Sequence, residues 1–267
     1  MSLPESLLEL GQSAFEECSN LRTISFPSNS ALKAINQDTF LRCYSLGNFD
    51  LPEGITEIGQ GAFFKCTSLT EITIPNSVRY IRKHAFSSNN AIADVETHED
   101  PMELTTFRLK SGSQLEVIDS DAFGNCTKLN KVYIPSFEKW VDITFLYDKT
   151  SCPIGTHDYD TTEFYINDSR FTGNIDITGA NLNTRTYNTK DNVDTIECYP
   201  QISPGAFRKA KSITSVSLPS SITKIGQSAF YACSSMTAIN TEDASIEIIG
   251  ESAFDACSSL TSITTGA

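Results

Sequence analysis

Apolar and polar positions along this chain fall into one pattern that returns many times. In LTEITIP (Leu69–Pro75) the apolar residues follow L-x-x-I-x-I, so the last residues alternate like a strand with one buried face. Pro75 has no backbone donor and closes the strand. ITEIG (Ile55–Gly59) is a second short extended segment, and Gly59 is expected to permit a bend after it. Ala62 and Phe63 then turn the chain back, with Phe63 filling the interior. The whole unit, EGITEIGQGAFFKCTSLTEITIP, runs from Glu53 to Pro75. Aligned on its phenylalanine it occurs eight times, at Phe15, Phe40, Phe63, Phe86, Phe123, Phe207, Phe230 and Phe254, and successive copies lie 25, 23, 23, 37, 84, 23 and 24 residues apart.

One coil of this length cannot bury its own apolar face, whereas stacked coils bury a continuous core between them. The period therefore predicts a repeat solenoid, mainly β, built of short parallel strands with turns or short helical segments. The expected organisation is a single solenoid over residues 1–267. Regular repeats cover 3–135 and 199–267, an irregular coil covers 136–198, and an acidic insert loop covers 89–103. The cysteines fit this reading. Cys18, Cys43, Cys66, Cys126, Cys233 and Cys257 each stand three residues after a repeat Phe, where a ladder of buried, reduced, small apolar side chains is expected rather than a disulfide framework. Cys152 and Cys198 lie off the pattern and are read as surface thiols or a pair.

The unit L-P-x-G-I-T-x-I-G-x-x-A-F-x-x-C-x-S-L-T-x-I-x-I-P resembles the BspA-like (Treponema pallidum-type) leucine-rich repeat. Glu53–Pro75 and Ser220–Ile239 match it nearly position by position, and Ser30–Pro52, Gln114–Pro135 and Ile246–Ile263 match well. Asn89 and Ala210 replace the repeat cysteine in two copies. EKWVDITF (Glu138–Phe145) and EFYINDSRFTGNIDIT (Glu163–Thr178) resemble the irregular coil that such proteins insert between regular repeats. The resemblance implies a right-handed leucine-rich-repeat superhelix. It also implies a cell-surface or secreted protein of microbes, working in adhesion or ligand binding without enzymatic activity. It supplies no shared ligand and no shared site motif.

Two breaks in the period are the places where insertions commonly carry binding. In the first, LTTFRL (Leu104–Leu109) still reads as a repeat strand, so about a dozen extra residues fall within Asn89–Glu103. This stretch is expected to be an acidic, solvated loop; a calcium site is the alternative, though its spacing matches no EF-hand. The second break, Ser136–Cys198, holds the sole tryptophan, Trp140, together with Tyr147, Tyr159, Tyr165 and Tyr187. Trp140, Phe145 and Phe164 are expected to pack this coil against its neighbours. The polar stretch Thr178–Asp194 reads as an exposed loop.

Charge narrows the function. A formal net charge of −13 and a pI near 4.6 argue against binding nucleic acid or an anionic membrane surface. No apolar run has the length of a membrane span, and MSLPESLLEL lacks the features of a signal peptide, so a surface protein would carry its leader outside this segment. The chain is expected to be part of a longer protein, or to pair at its ends with another molecule, since it begins and ends within repeats. His84, His98 and His157 stand in no catalytic or metal-binding spacing, and no cofactor motif occurs. The expected function is recognition of a protein or glycan ligand, with a passive spacer and an intracellular scaffold as alternatives. In the strands, the residues between the buried positions point outward, and most are small and polar, as in Thr73, Ser215, Ser217 and Asn240. Tyr133 is the exception, and Tyr133, Lys131, Trp140 and Tyr147 are the expected ligand contacts, with packing of Tyr133 against the irregular coil as the alternative.

Overall fold

A computed structural model of the chain describes residues 1–88, 101–146, 161–180, 182, 185–188, 195–198, 200–241 and 244–265, with 185–188, 195–198 and 265 described in backbone only. The first part carries β1 (Ala34–Ile35), β2 (Glu57–Ile58), β3 (Glu71–Ile74), β4 (Tyr80–Ile81), β5 (Thr106–Leu109), β6 (Val117–Ile118), β7 (Lys131–Ile134), helix α1 (Phe137–Val141) and β8 (Thr144–Phe145). The interrupted coil adds β9 (Glu163–Ile166), β10 (Ser169–Arg170), β11 (Gly173–Asp176), β12 (Arg185–Asn188) and β13 (Thr195–Cys198). Regular coils resume with β14 (Gln201–Ile202), β15 (Ile213–Ser217), β16 (Lys224–Ile225), β17 (Ala238–Thr241), β18 (Ile248–Ile249) and β19 (Ser262–Thr265).

From β2 onward each regular coil gives a strand to a front sheet and a shorter one to a back sheet, whereas the coil of Phe40 carries only the back strand β1. The front sheets run β3-β5-β7-β9-β10 and β11-β15-β17-β19; the back sheets run β1-β2-β4-β6-β8 and β14-β16-β18. Their pairing is parallel, as the repeat requires, except where β10 folds back antiparallel on β9. The turn between those two strands is Asn167-Asp168, both at positive φ (50° and 61°). This hairpin, and the antiparallel pair β12–β13, depart from the all-parallel expectation.

The core is a stack of rings. Phe15, Phe40, Phe63, Phe86 and Phe123 follow one another at 5.3 Å between ring centroids, and Phe207, Phe230 and Phe254 continue at 5.2 and 5.5 Å. Backbone bonds climb in step: the Phe40, Phe63 and Phe86 amides donate to the carbonyls of Ala62, Ala85 and Ala122 in the next coil. Gly59 serves a close approach rather than a bend, since a Cβ there would meet the backbone of Asn36 and Gln37 at 2.8 Å.

The cysteine ladder is real but donates hydrogen bonds. The Sγ of Cys66 reaches the Phe40 carbonyl of the preceding coil at 3.1 Å, and Cys43, Cys126, Cys233 and Cys257 do the same to Phe15, Phe86, Phe207 and Phe230. Cys43, Cys66, Cys126 and Cys233 are buried and reduced. Cys257 is half-buried, and Cys18 corrects the expectation of a fully buried ladder: it is exposed, because the ladder begins at its own coil. Cys152 lies outside the described residues, as does the side chain of Cys198.

Between Phe123 and Phe207 the irregular coil replaces the missing rung. Trp140, fully buried, packs on Phe107, Phe145 and Phe164, and Phe164 packs on Phe207. The indole Nε1 donates to the Ala206 carbonyl at 2.8 Å. In the regular coils that carbonyl receives a Phe backbone amide, so the tryptophan side chain stands in for main chain. Ser203 provides a second clamp: its Oγ donates to the Ile143 carbonyl at 3.0 Å and accepts from the Phe145 amide at 3.4 Å.

Candidate functional site

On the outer face of the first front sheet, strand register assembles a cluster that is not contiguous in sequence. Ile72, Phe107, Val132 and Phe164 form the buried row. Strand alternation therefore turns the row Thr73, Arg108, Tyr133, Tyr165 to solvent, with Arg170 opposite Tyr165. A second outward row runs Glu71, Thr106, Lys131, Glu163.

The side chains of these rows lock one another. Tyr133 and Tyr165 stack at 4.4 Å between centroids and 15° between planes. The Arg108 guanidinium lies over Tyr133, 3.6 Å from the ring centroid. Asp168, in the β9–β10 turn, holds that guanidinium at 2.6 Å, and Glu71 approaches it at 3.5 Å. Burial works against the Arg108 charge, but these two carboxylates more than offset it and hold the group above its ordinary range. The Tyr165 hydroxyl donates to Glu163 Oε2 at 2.9 Å, and that bond, aided by burial, pushes the phenol up. Arg170 pairs with Glu163 Oε1 at 3.0 Å. Both Glu163 oxygens are thereby engaged. Lys131, directly across from Glu163 in register, is exposed and has no ion pair among the described residues.

Of the expected contacts, Tyr133 and Lys131 stand on this face. Trp140 does not: its side chain is fully buried and bonded to Ala206, so it cannot touch a ligand, and its place among the contacts is corrected to a structural one. Tyr147 lies outside the described residues, as do residues 89–100 of the acidic loop; Glu103 at its end pairs with Lys128. Arg108 was missed by the sequence reading, and Tyr165 was read only as one aromatic of the second break. Writing LTTFRL and EFYI beneath LTEITIP would have placed both in the column of Thr73 and Tyr133.

The rest of the outer face offers small groups: Ser215, Ala238 and Ser262 form one row, Ser217, Asn240 and Thr264 the next. Among the described residues no three His, Cys, Asp or Glu side chains group to hold a metal ion. His84 is half-buried with Phe64 edge-on to its ring, and burial, with Lys83 nearby, lowers its pKa against the opposing pull of Asp121 and Asp119.

Residues 1–100, 99–196 and 186–266 match the family described as BspA type leucine rich repeat region, with 6 copies. No curated protein matches the chain. Among solved structures, a leucine-rich repeat protein from Bacteroides ovatus is 22% identical, with 97% of this chain and 64% of that one covered and a TM-score of 0.47. The T. pallidum leucine rich repeat protein is 19% identical over 97% of this chain and 77% of its own, with a TM-score of 0.35. A leucine rich cell surface protein from Faecalibacterium prausnitzii is 18% identical over 100% and 78%, with a TM-score of 0.37. The chain thus spans less than two thirds of the Bacteroides ovatus protein.

Proposed function

The chain belongs to the BspA-type leucine-rich repeat family, and from that premise we propose that it is a non-enzymatic recognition module of a cell-surface or secreted protein, contacting a protein or glycan ligand on its front sheet at Tyr133. The observation that carries this reading is the stack Arg108–Tyr133–Tyr165. Binding energy concentrates in a few Tyr, Trp and Arg residues, and the front sheet gathers an Arg and two Tyr at one place while its second half offers mainly Ser, Thr and Asn. The anchors are held before any ligand arrives, so ordering them costs little on binding. Repeats of this family are generally non-catalytic interaction modules, which agrees with a site made of locked rings and ion pairs. Among the described residues no helix is long and apolar enough to cross a membrane.

The test is an array of purified extracellular proteins and defined glycans, probed with the parent chain and with the double variant Tyr133→Ala/Tyr165→Ala. A signal that falls about tenfold in a variant of unchanged thermal midpoint supports the reading. Silence of the parent across the array favours the spacer.

A further inference from the structure

We infer that the stack at Tyr133 docks a protein segment, one that sets a carboxylate against Lys131 and an apolar side chain against the edges of Tyr133 and Tyr165. This rests on the reading above and narrows it. Sugars dock on aromatic side chains by laying a ring on the π-face. Here the faces of Tyr133 are taken, one by Arg108 at 3.6 Å and the other by Tyr165 at 4.4 Å. Arg108, Tyr133 and Tyr165 come from three successive strands and stack along the sheet, so Tyr133, flanked on both sides, offers its edge, and Tyr165 has Arg170 across from it on β10. Ring edges carry partial positive charge and suit the faces of other aromatic rings and the side chains of a flat protein surface.

Charge sets the second contact. The carboxylates of the cluster are committed: Asp168 and Glu71 to Arg108, and Glu163 to Tyr165 and Arg170. Lys131 stands across from Glu163 but is left without a partner among the described residues. A carboxylate from outside completes the row, in a chain whose net charge of −13 otherwise repels acidic partners.

The experiment selects phage-displayed random peptides on the immobilised chain, with counter-selection on Tyr133→Ala/Tyr165→Ala. The winning synthetic peptides are then titrated into the parent and into Lys131→Glu. A panel of sialylated and uronate-bearing glycans is tested in parallel. The expected result is peptides with Asp or Glu beside an aromatic or branched aliphatic residue, whose binding weakens about tenfold in Lys131→Glu. Peptides indifferent to Lys131→Glu, or binding confined to the glycans and lost in the tyrosine variant, overturn the inference and leave the recognition module standing. No binding by peptide, protein or glycan removes the recognition reading itself, and the inference with it.

Discussion

Replacing Trp140 by Phe tests whether one side chain holds the two regular stretches together. The indole Nε1 is the donor that reaches the Ala206 carbonyl, at 2.8 Å, in a fully buried site. Phenylalanine keeps a ring among Phe107, Phe145 and Phe164 but leaves that carbonyl without its donor. An orphaned buried acceptor costs about 1–3 kcal/mol. The smaller ring adds about 1–2 kcal/mol of lost packing. The expected loss is therefore about 2–5 kcal/mol, read from urea denaturation followed by far-ultraviolet circular dichroism. In a solenoid the damage should also weaken coupling between neighbouring coils, so the transition should broaden or split. Phe164→Leu is the packing control, since it removes ring area and no hydrogen bond. A loss below about 0.5 kcal/mol in Trp140→Phe would refute the claim that the indole substitutes for a backbone amide.

Other outcomes follow from single contacts. In the native chain Cys18 should react with iodoacetamide at neutral to mildly alkaline pH, while Cys66, Cys126 and Cys233 resist; burial raises these three thiols, and pushes Cys43 up to about 11. Peptide mass spectrometry reads this, and equal rates at Cys18 and Cys66 would contradict the ladder. Gly59→Ala should cost about 1–3 kcal/mol, because its Cβ would meet backbone of the adjacent coil at 2.8 Å, whereas Gly179→Ala, with nothing within 4 Å, should be nearly neutral. Denaturation midpoints of the two variants decide it. His84, held mainly by burial below its ordinary value of 6.5, stays neutral in the fold while the unfolded chain takes up the proton. Stability should therefore fall as pH drops through about 6.5 toward the folded value, and His84→Gln should flatten that slope. An unchanged slope would show that a group other than His84 governs it.

The repeat was legible because its period repeats the same physical job: Phe63 stacks on Phe40 and Phe86 as the spacing demands, and LTEITIP contains β3 where it was expected. What sequence hid were contacts between coils. Gly59 looked like a bend residue, since close approach to Asn36 is visible only when one coil lies on another. Trp140 carried an ambiguous signal: an aromatic in a break serves a ligand or the core equally well, and burial decided for the core. Arg108 and the place of Tyr165 beside Tyr133 escaped because an insertion and an irregular coil interrupt the count, although the aligned strands carry both in the column that the register confirms. The Asn167-Asp168 turn reverses the chain by adopting positive φ, and so delivers Asp168 to Arg108. That pairing joins residues 60 apart in sequence, beyond any local pattern.

The most direct test of the central claim is a structure of the chain bound to the tightest selected peptide. A peptide carboxylate should lie within salt-bridge distance, about 3 Å, of Lys131 Nζ, with an apolar side chain against the edges of Tyr133 and Tyr165. A peptide seated on the back sheet, or on the face formed by Ser215, Ala238 and Ser262, would contradict it.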